Sequence, residues 1–363
     1  MAVALKTRGL LLGEGPLPRS VALVPFDGPY ADILHEPLIL PTSARSIWAA
    51  LRAELLAHDY EFETVERLGP AAEHAELALV FNVPRGMQAR TKATWQRRLH
   101  HRWKSRTDPG YSYIERRLAA GLGARTVLAV FEPPSVIPEN FDASMLSKFG
   151  AVVTWRTDGP AVDFRARIPY EPVLAEAART AFAARKRLVA FVGNKSSGHP
   201  LELYSERRAV IAHMEAHAPD QFDFFGRGWG TDHVCWRGTA DNKHAVFGQY
   251  RFGLCYENIR DTPGYITEKM LDCLVAGTVP VYWGAPDIGQ VVDPAAFVDR
   301  SKFSSTAELA AHLQTMPEAD WHLHREAGQN WLASGGLNSF GIDPWVAAVR
   351  RALDQVAAVT SPF

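Results

Sequence analysis

The feature that most constrains the fold is an alternation of short apolar runs of strand length with longer stretches of helical spacing. The first series comprises VALVPF (21–26), the helical SARSIWAALRAELLAHDY (43–60), EFETVE (61–66), ELALVFN (76–82), RTVLAVFE (125–132) and AVVTWR (151–156). Such a βαβ rhythm implies a mainly parallel sheet covered by helices. A second series repeats it: RLVAFVG (187–193), the helix around LYSERRAVIAHMEAH (203–217), FDFFG (222–226), YRFGLCYE (250–257), the helix TEKMLDCLVAG (267–277) and VPVYWG (279–284). YEPVLAEAARTAFAARK (170–186) reads as the connecting arm. After Phe297 the strands are expected to stop, and TAELAAHLQTM (306–316) and PWVAAVRRALDQVAAV (344–359) read as helices that close the chain.

A chain of 363 residues exceeds one ordinary hydrophobic core, so two α/β domains are expected. Their boundaries are placed at 1–172 and 173–345, with residues 346–363 as a closing helix. With 47% hydrophobic and 22% charged residues the chain can bury substantial apolar surface, which excludes a disordered class. A net charge of -1 gives no global drive toward nucleic acid or anionic lipid. Three cysteines without CxxC spacing argue against a disulfide framework or a zinc site. No apolar run reaches the roughly 18 to 20 residues a membrane helix needs. The expected location is therefore the cytoplasm, or the periphery of the inner membrane.

The stretch CYENIRDTPGYITEKMLDCLVAGTVPVYWGAP (255–286) runs from strand through turn to helix and back to strand. Thr267 sits where an N-cap is expected, with Met270, Leu271, Leu274 and Val275 forming a buried helix face. Residues 265–269 then lie at a helix N-terminus on the C-terminal edge of a parallel sheet, where phosphates bind in such folds. Lys269 adds a full positive charge, and the Glu268 carboxylate can accept hydrogen bonds from sugar hydroxyls. An ordinary exposed Glu-Lys pair gives the same pattern, and spacing alone does not separate the two readings.

The same residues carry a resemblance. YRFGLCYEN, GYITEK and GTVPVYWGAP resemble the signature of the α1,3/α1,4-fucosyltransferases, glycosyltransferase family 10, bacterial type: a Phe-Glu-Asn, then Tyr-[Val/Ile]-Thr-Glu-Lys, then Gly-x-[Val/Ile]-Pro-[Val/Ile]. The similarity is continuous over 250–286, weaker from about 125 to about 303, and limited to the βα rhythm in the first 120 residues. It implies the GT-B fold, two Rossmann-like domains facing across a cleft. It also implies GDP-L-fucose as donor and a glycan or glycolipid acceptor, GlcNAc-type with α1,3 linkage, reached by an inverting reaction. Tyr265, Glu268, Lys269 and Asn258 map onto family donor contacts. Arg207, with Arg208 as the close alternative, maps onto an Arg that contacts donor phosphates, and Glu132 onto the general base. Tyr256 replaces the usual Phe, the turn before Tyr265 is one residue longer, and Pro133 stands where the family has Ser. Transfer of another GDP-sugar, or glycan or nucleotide binding without turnover, is the alternative.

FFGRG (224–228) reads either as a tight turn or as backbone brought close to the nucleotide. No Asp-x-Asp motif occurs, and His322 and His324 do not share a helix face, so no metal is expected and no cofactor beyond the donor itself. The run RGMQARTKATWQRRLHHRWKSR (85–106) holds eight Lys or Arg and no acid. It reads as a contact for anionic membrane or phosphorylated glycolipid, or as a solvated basic helix; without a recognisable module, nucleic acid is not an expected partner.

Overall fold

A computed structural model describes residues 19–25, 47–85, 87, 109–157, 164–172 and 180–359. Apart from Arg85 and Met87, the basic run lies outside the described residues, as do residues 173–179 of the connecting arm.

Two parallel sheets form. The first joins β1 (Arg19–Val24), β2 (Tyr60–Thr64), β3 (Leu77–Phe81), β4 (Thr126–Val130), β5 (Ala151–Thr154) and β6 (Phe164–Arg165) in the order β2-β1-β3-β4-β5-β6. The second joins β7 (Lys186–Phe191), β8 (Phe222–Phe225), β9 (Tyr250–Tyr256), β10 (Val279–Trp283) and β11 (Val298–Asp299) in the order β11-β10-β9-β7-β8. Relabelled within each sheet, both follow the doubly wound order 2-1-3-4-5, whose chain reversal opens a crevice at the C-terminal strand ends. In the second sheet that crevice falls between β7 and β9, whose pairing sets Ala190 opposite Leu254. The strands are apolar on both faces because helices cover both: every residue of β3 and β4 is buried.

β11 follows Phe297, where no further strand is expected from the sequence. With only two residues on a sheet edge, it is too short to leave a recognisable pattern.

The last helix, Ile342–Ala357, returns to the first sheet. Trp345, Val346, Val349, Leu353 and Val356 form one stripe at i, i+1, i+4, i+8 and i+11, packed with Leu79, Val127, Ala129 and Val153. Each such side chain contributes about 1.5–3 kcal/mol when fully buried. The chain therefore crosses between the domains twice, and the crossings are tied together. The Tyr170 amide donates to the Phe340 carbonyl at 2.6 Å, the Arg167 guanidinium lies 5.1 Å from the Phe340 ring, and the Tyr170 hydroxyl donates to Asp272 at 2.8 Å.

Candidate active site

β9 delivers Glu257 directly to the crevice of the second sheet. Its side chain is fully buried, a costly place for a charge unless every lone pair is used. It accepts the Thr267 amide at 2.8 Å, the Thr267 hydroxyl at 2.8 Å and the Lys269 ammonium at 3.2 Å. Thr267 stands at the expected cap position of helix Glu268–Val275 but does not cap it. Its hydroxyl donates to the Glu257 carboxylate and its oxygen accepts from the Lys269 ammonium, a charged donor that takes the place of the helix amides. The first-turn amides, left without a side-chain cap, face the crevice end of the helix as anion donors.

Lys269 is held by Glu257, by the Thr267 hydroxyl at 2.8 Å and by Glu268 at 3.7 Å, and keeps 22% of its side-chain surface exposed. Enclosure disfavours its charge, but Glu257 and Glu268 outweigh that and push its pKa upward. Glu268, 44% exposed, is held at about 2: enclosure opposes its ionisation, while Lys269 and Lys243 enforce it. The crevice thus presents a fixed cation beside a fixed anion.

Arg207, Asn258 and Tyr265 lie together beneath this pair. Arg207, on helix Tyr204–His217, is 5% exposed; its Nη2 donates to the Tyr256 carbonyl at 2.6 Å and to Asn258 Oδ1 at 3.1 Å. Asn258 Nδ2 donates to the Tyr265 hydroxyl at 3.1 Å. Tyr265 is 2% exposed, so it backs the crevice wall rather than standing on it. Arg208 points elsewhere, donating to the Lys195 carbonyl at 2.6 Å.

From the first sheet, the segment after β4 brings Glu132 to the same cleft. The amides of Phe131 and Glu132 both donate to Asn82 Oδ1, at 2.8 and 3.0 Å. Asn140 donates to Asn82 Oδ1 at 2.9 Å and to the Glu132 carbonyl at 3.0 Å, while its own Oδ1 accepts the Val83 amide at 2.8 Å. Asn82 adopts φ 59°, a left-handed conformation that Asn tolerates better than most residues. Burial raises the Glu132 carboxyl pKa; Lys269, Lys195 and Arg85 draw it back, and Glu268 reinforces the rise. A half-buried carboxyl of raised pKa therefore lies within electrostatic reach of Lys269 and Glu268. Nearby, the Ser135 hydroxyl donates to the Asn258 carbonyl at 3.4 Å, and the Ser135 carbonyl accepts Ser197 Oγ at 2.7 Å, which links the segment after β4 to the second domain.

The sequence reading singles out neither Glu257 as the anchor of Lys269 nor Asn82 and Asn140 as the support of Glu132. For Glu257 and Asn82 the available signal was position, since each directly follows a strand end; Asn140, in the turn Pro138–Phe141, carries none. FFGRG makes a tight turn, since Gly226 has φ 149° and an added Cβ would lie 2.0 Å from the Val192 carbonyl oxygen. His233 pairs with Glu215 at 2.9 Å, and no group of metal-ligating side chains occurs among the described residues. No helix among them is long and apolar enough to cross a membrane.

Residues 183–325 match the family model described as glycosyltransferase family 10 (fucosyltransferase), C-terminal part. An α-(1,3)-fucosyltransferase of Helicobacter pylori is 33% identical over 101 residues, 28% of this chain and 20% of that protein. An α-(1,4)-fucosyltransferase of Arabidopsis thaliana is 34% identical over 93 residues, 24% of this chain and 23% of that protein. The human GDP-fucose protein O-fucosyltransferase 3 is 34% identical over 101 residues, 28% of this chain and 20% of that protein. The matched stretch thus spans 20% to 23% of these relatives' own length. A crystal structure of an α1,3-fucosyltransferase superposes with TM-score 0.53 at 14% identity, covering 95% of this chain and 92% of that one. Anabaena HepE in complex with UDP-glucose superposes with TM-score 0.50 at 13% identity, covering 93% of this chain and 99% of that one. The fold is GT-B.

Proposed function

We propose that this chain, whose residues 183–325 belong to glycosyltransferase family 10, transfers L-fucose from GDP-L-fucose to a glycan hydroxyl. The acceptor in this reading is GlcNAc-type and the linkage α1,3. The observation that supports it is that Glu132 from the first sheet lies within electrostatic reach of Lys269 and Glu268 from the second. In this reading Glu132 is the proton acceptor, Lys269 the diphosphate-binding cation, and the transferred sugar lies between them.

The reaction is a single inverting displacement. As the acceptor oxygen bonds to the anomeric carbon, the bond from that carbon to the GDP oxygen breaks, and the acceptor proton passes to Glu132. A carboxylate whose basicity is raised by burial is better matched to that proton than an ordinary one. Lys269 and the uncapped amides of helix Glu268–Val275 offset the charge developing on the departing diphosphate, and Glu268 receives donor hydroxyls. Arg207 adds positive potential from beneath and fixes Asn258. With cations supplied by side chains, the reaction in this reading needs no divalent metal and no cofactor. The basic run at 85–106 is assigned to the acceptor side or to an anionic lipid surface.

The test is transfer from GDP-fucose to a glycan array, run beside a panel of other GDP-sugars. Transfer from a different GDP-sugar alone would replace the donor, and GDP binding without turnover on any acceptor would leave a binding protein. Transfer to a protein acceptor alone would replace the glycan.

A further inference from the structure

We propose that Trp155 is a positioning residue that couples the donor wall to Glu132 across the cleft. The inference rests on the transferase reading given above. Trp155 follows β5 in the first domain and is 3% exposed. Its indole N–H donates to the Phe131 carbonyl at 2.9 Å, one residue before Glu132. Its ring meets the Tyr265 ring of the second domain, centroids 4.8 Å apart and planes at 52°. Tyr265 in turn accepts from Asn258, which accepts from Arg207. One side chain therefore touches the main chain of the proposed base and the donor-side network.

The contact is built rather than incidental. Trp155, Tyr265 and Ile259 form a small apolar cluster of their own, backed by Phe141, Ile168 and Leu201, with members from both domains. Next to it Gly264, at φ 81°, approaches so closely that an added Cβ would lie 2.4 Å from the Trp155 carbonyl oxygen. Asp287 accepts the Gly264 amide at 2.9 Å and the Thr157 hydroxyl at 3.3 Å, which ties both sides of the contact to one carboxylate. A donor that orders Asn258 and Tyr265 thereby also orders the Phe131 carbonyl and the segment after it. Asn82 and Asn140 hold that segment from below, so the indole sets only its position toward the donor.

Trp155→Phe keeps a ring against Tyr265 and deletes the N–H. The expected result is a fall in kcat of about tenfold or more, with the KM for GDP-fucose and the calorimetric Kd for GDP within about twofold of wild type, as for misplacement of a reacting group. Trp155→His, which retains a ring N–H, recovers part of kcat. Hydrogen exchange of wild type reads the coupling without a mutation: adding GDP slows the amides of Val136 and Ile137, and Trp155→Phe abolishes that slowing while GDP still binds. Unchanged exchange in wild type on saturation with GDP overturns the proposal, as does a Trp155→Phe enzyme with wild-type kcat or with kcat and GDP affinity lost together. A wild-type protein that binds GDP but transfers no sugar refutes the function and leaves the exchange measurement to decide the coupling. If Trp155→Phe does not fold, Trp155→His and the wild-type exchange measurement decide.

Discussion

Glu132→Gln removes one proton acceptor and little else. The bonds that place residue 132 run through its amide and carbonyl, to Asn82 and from Asn140, and glutamine keeps both. The base contribution lost is on the order of 10²- to 10⁴-fold in kcat. GDP affinity is expected to hold or rise, because the substitution withdraws a negative charge from a cleft shared with Lys269 and Lys195. Stability gives an independent check on the same carboxyl. Burial sets its folded pKa above the 4.5 of the unfolded chain, so the native state binds the proton more tightly. Stability is then shed as pH climbs from 4.5 through the folded value. The glutamine variant lacks that penalty, so it melts higher than wild type at neutral pH and the difference closes in acid. The assays are steady-state transfer from GDP-fucose, calorimetry with GDP, and thermal unfolding at neutral and acid pH. A variant that retains more than about a tenth of kcat removes Glu132 from proton transfer, and one less stable than wild type at neutral pH removes the buried-carboxyl argument.

Lys269→Ala weakens GDP binding by about 1.5–3 kcal/mol, the value of a charge-assisted bond. It also lowers the melting temperature by leaving the buried Glu257 carboxyl without its ammonium partner; Lys269→Ala with Glu257→Gln recovers the melting temperature but not the affinity, and recovery of both would contradict the phosphate role. Glu268→Gln weakens GDP-fucose binding by roughly 1.5 kcal/mol. Because Glu268 is held at about 2 against 4.5 unfolded, its ionisation favours folding above 4.5 and that contribution is lost only as pH falls toward 2. Titrating donor affinity from neutral pH down to 4.5 should reveal no step from this group. Gly264→Ala combines a positive φ with a 2.4 Å approach to Trp155 and costs about 1–3 kcal/mol in urea unfolding, whereas an unchanged midpoint would deny the close packing. Transfer activity persists in EDTA, and its loss, restored by a divalent ion, would refute the metal-independent reading.

What the sequence made legible followed from local spacing. Parallel strands are apolar throughout, and the stretch from β9 to helix Glu268–Val275 contains Glu257, Thr267, Glu268 and Lys269 within a dozen residues, so periodicity and motif locate it. The support of Glu132 is of another kind. Asn82 and Asn140 are 58 residues apart, Trp155 bonds a carbonyl 24 residues earlier, and Tyr265 meets Trp155 from the other domain. Only the paired sheets bring these together, and nothing in the spacing of single asparagines or tryptophans announces it. The Thr267 hydroxyl shows the same limit locally, since cap propensity ranks residues without knowing that the Lys269 ammonium takes the oxygen a cap would use.

The turn between Asn258 and Tyr265 joins the donor motif to the rest of the cleft, and bonds from its backbone tie it along its length. The Arg260 amide donates to the Leu201 carbonyl at 3.0 Å, the Asp261 amide to Gly284 at 3.1 Å, and the Gly264 amide to Asp287 at 2.9 Å. All three partners belong to the second domain, and Asp287 also accepts the Thr157 hydroxyl of the first. Tyr265, at the end of the turn, meets the Trp155 ring of the first domain. A shortened turn that leaves Lys269 and Glu268 intact should therefore bind GDP about as well as wild type and lose kcat, and a loss confined to GDP affinity would show that the loop serves only its own domain.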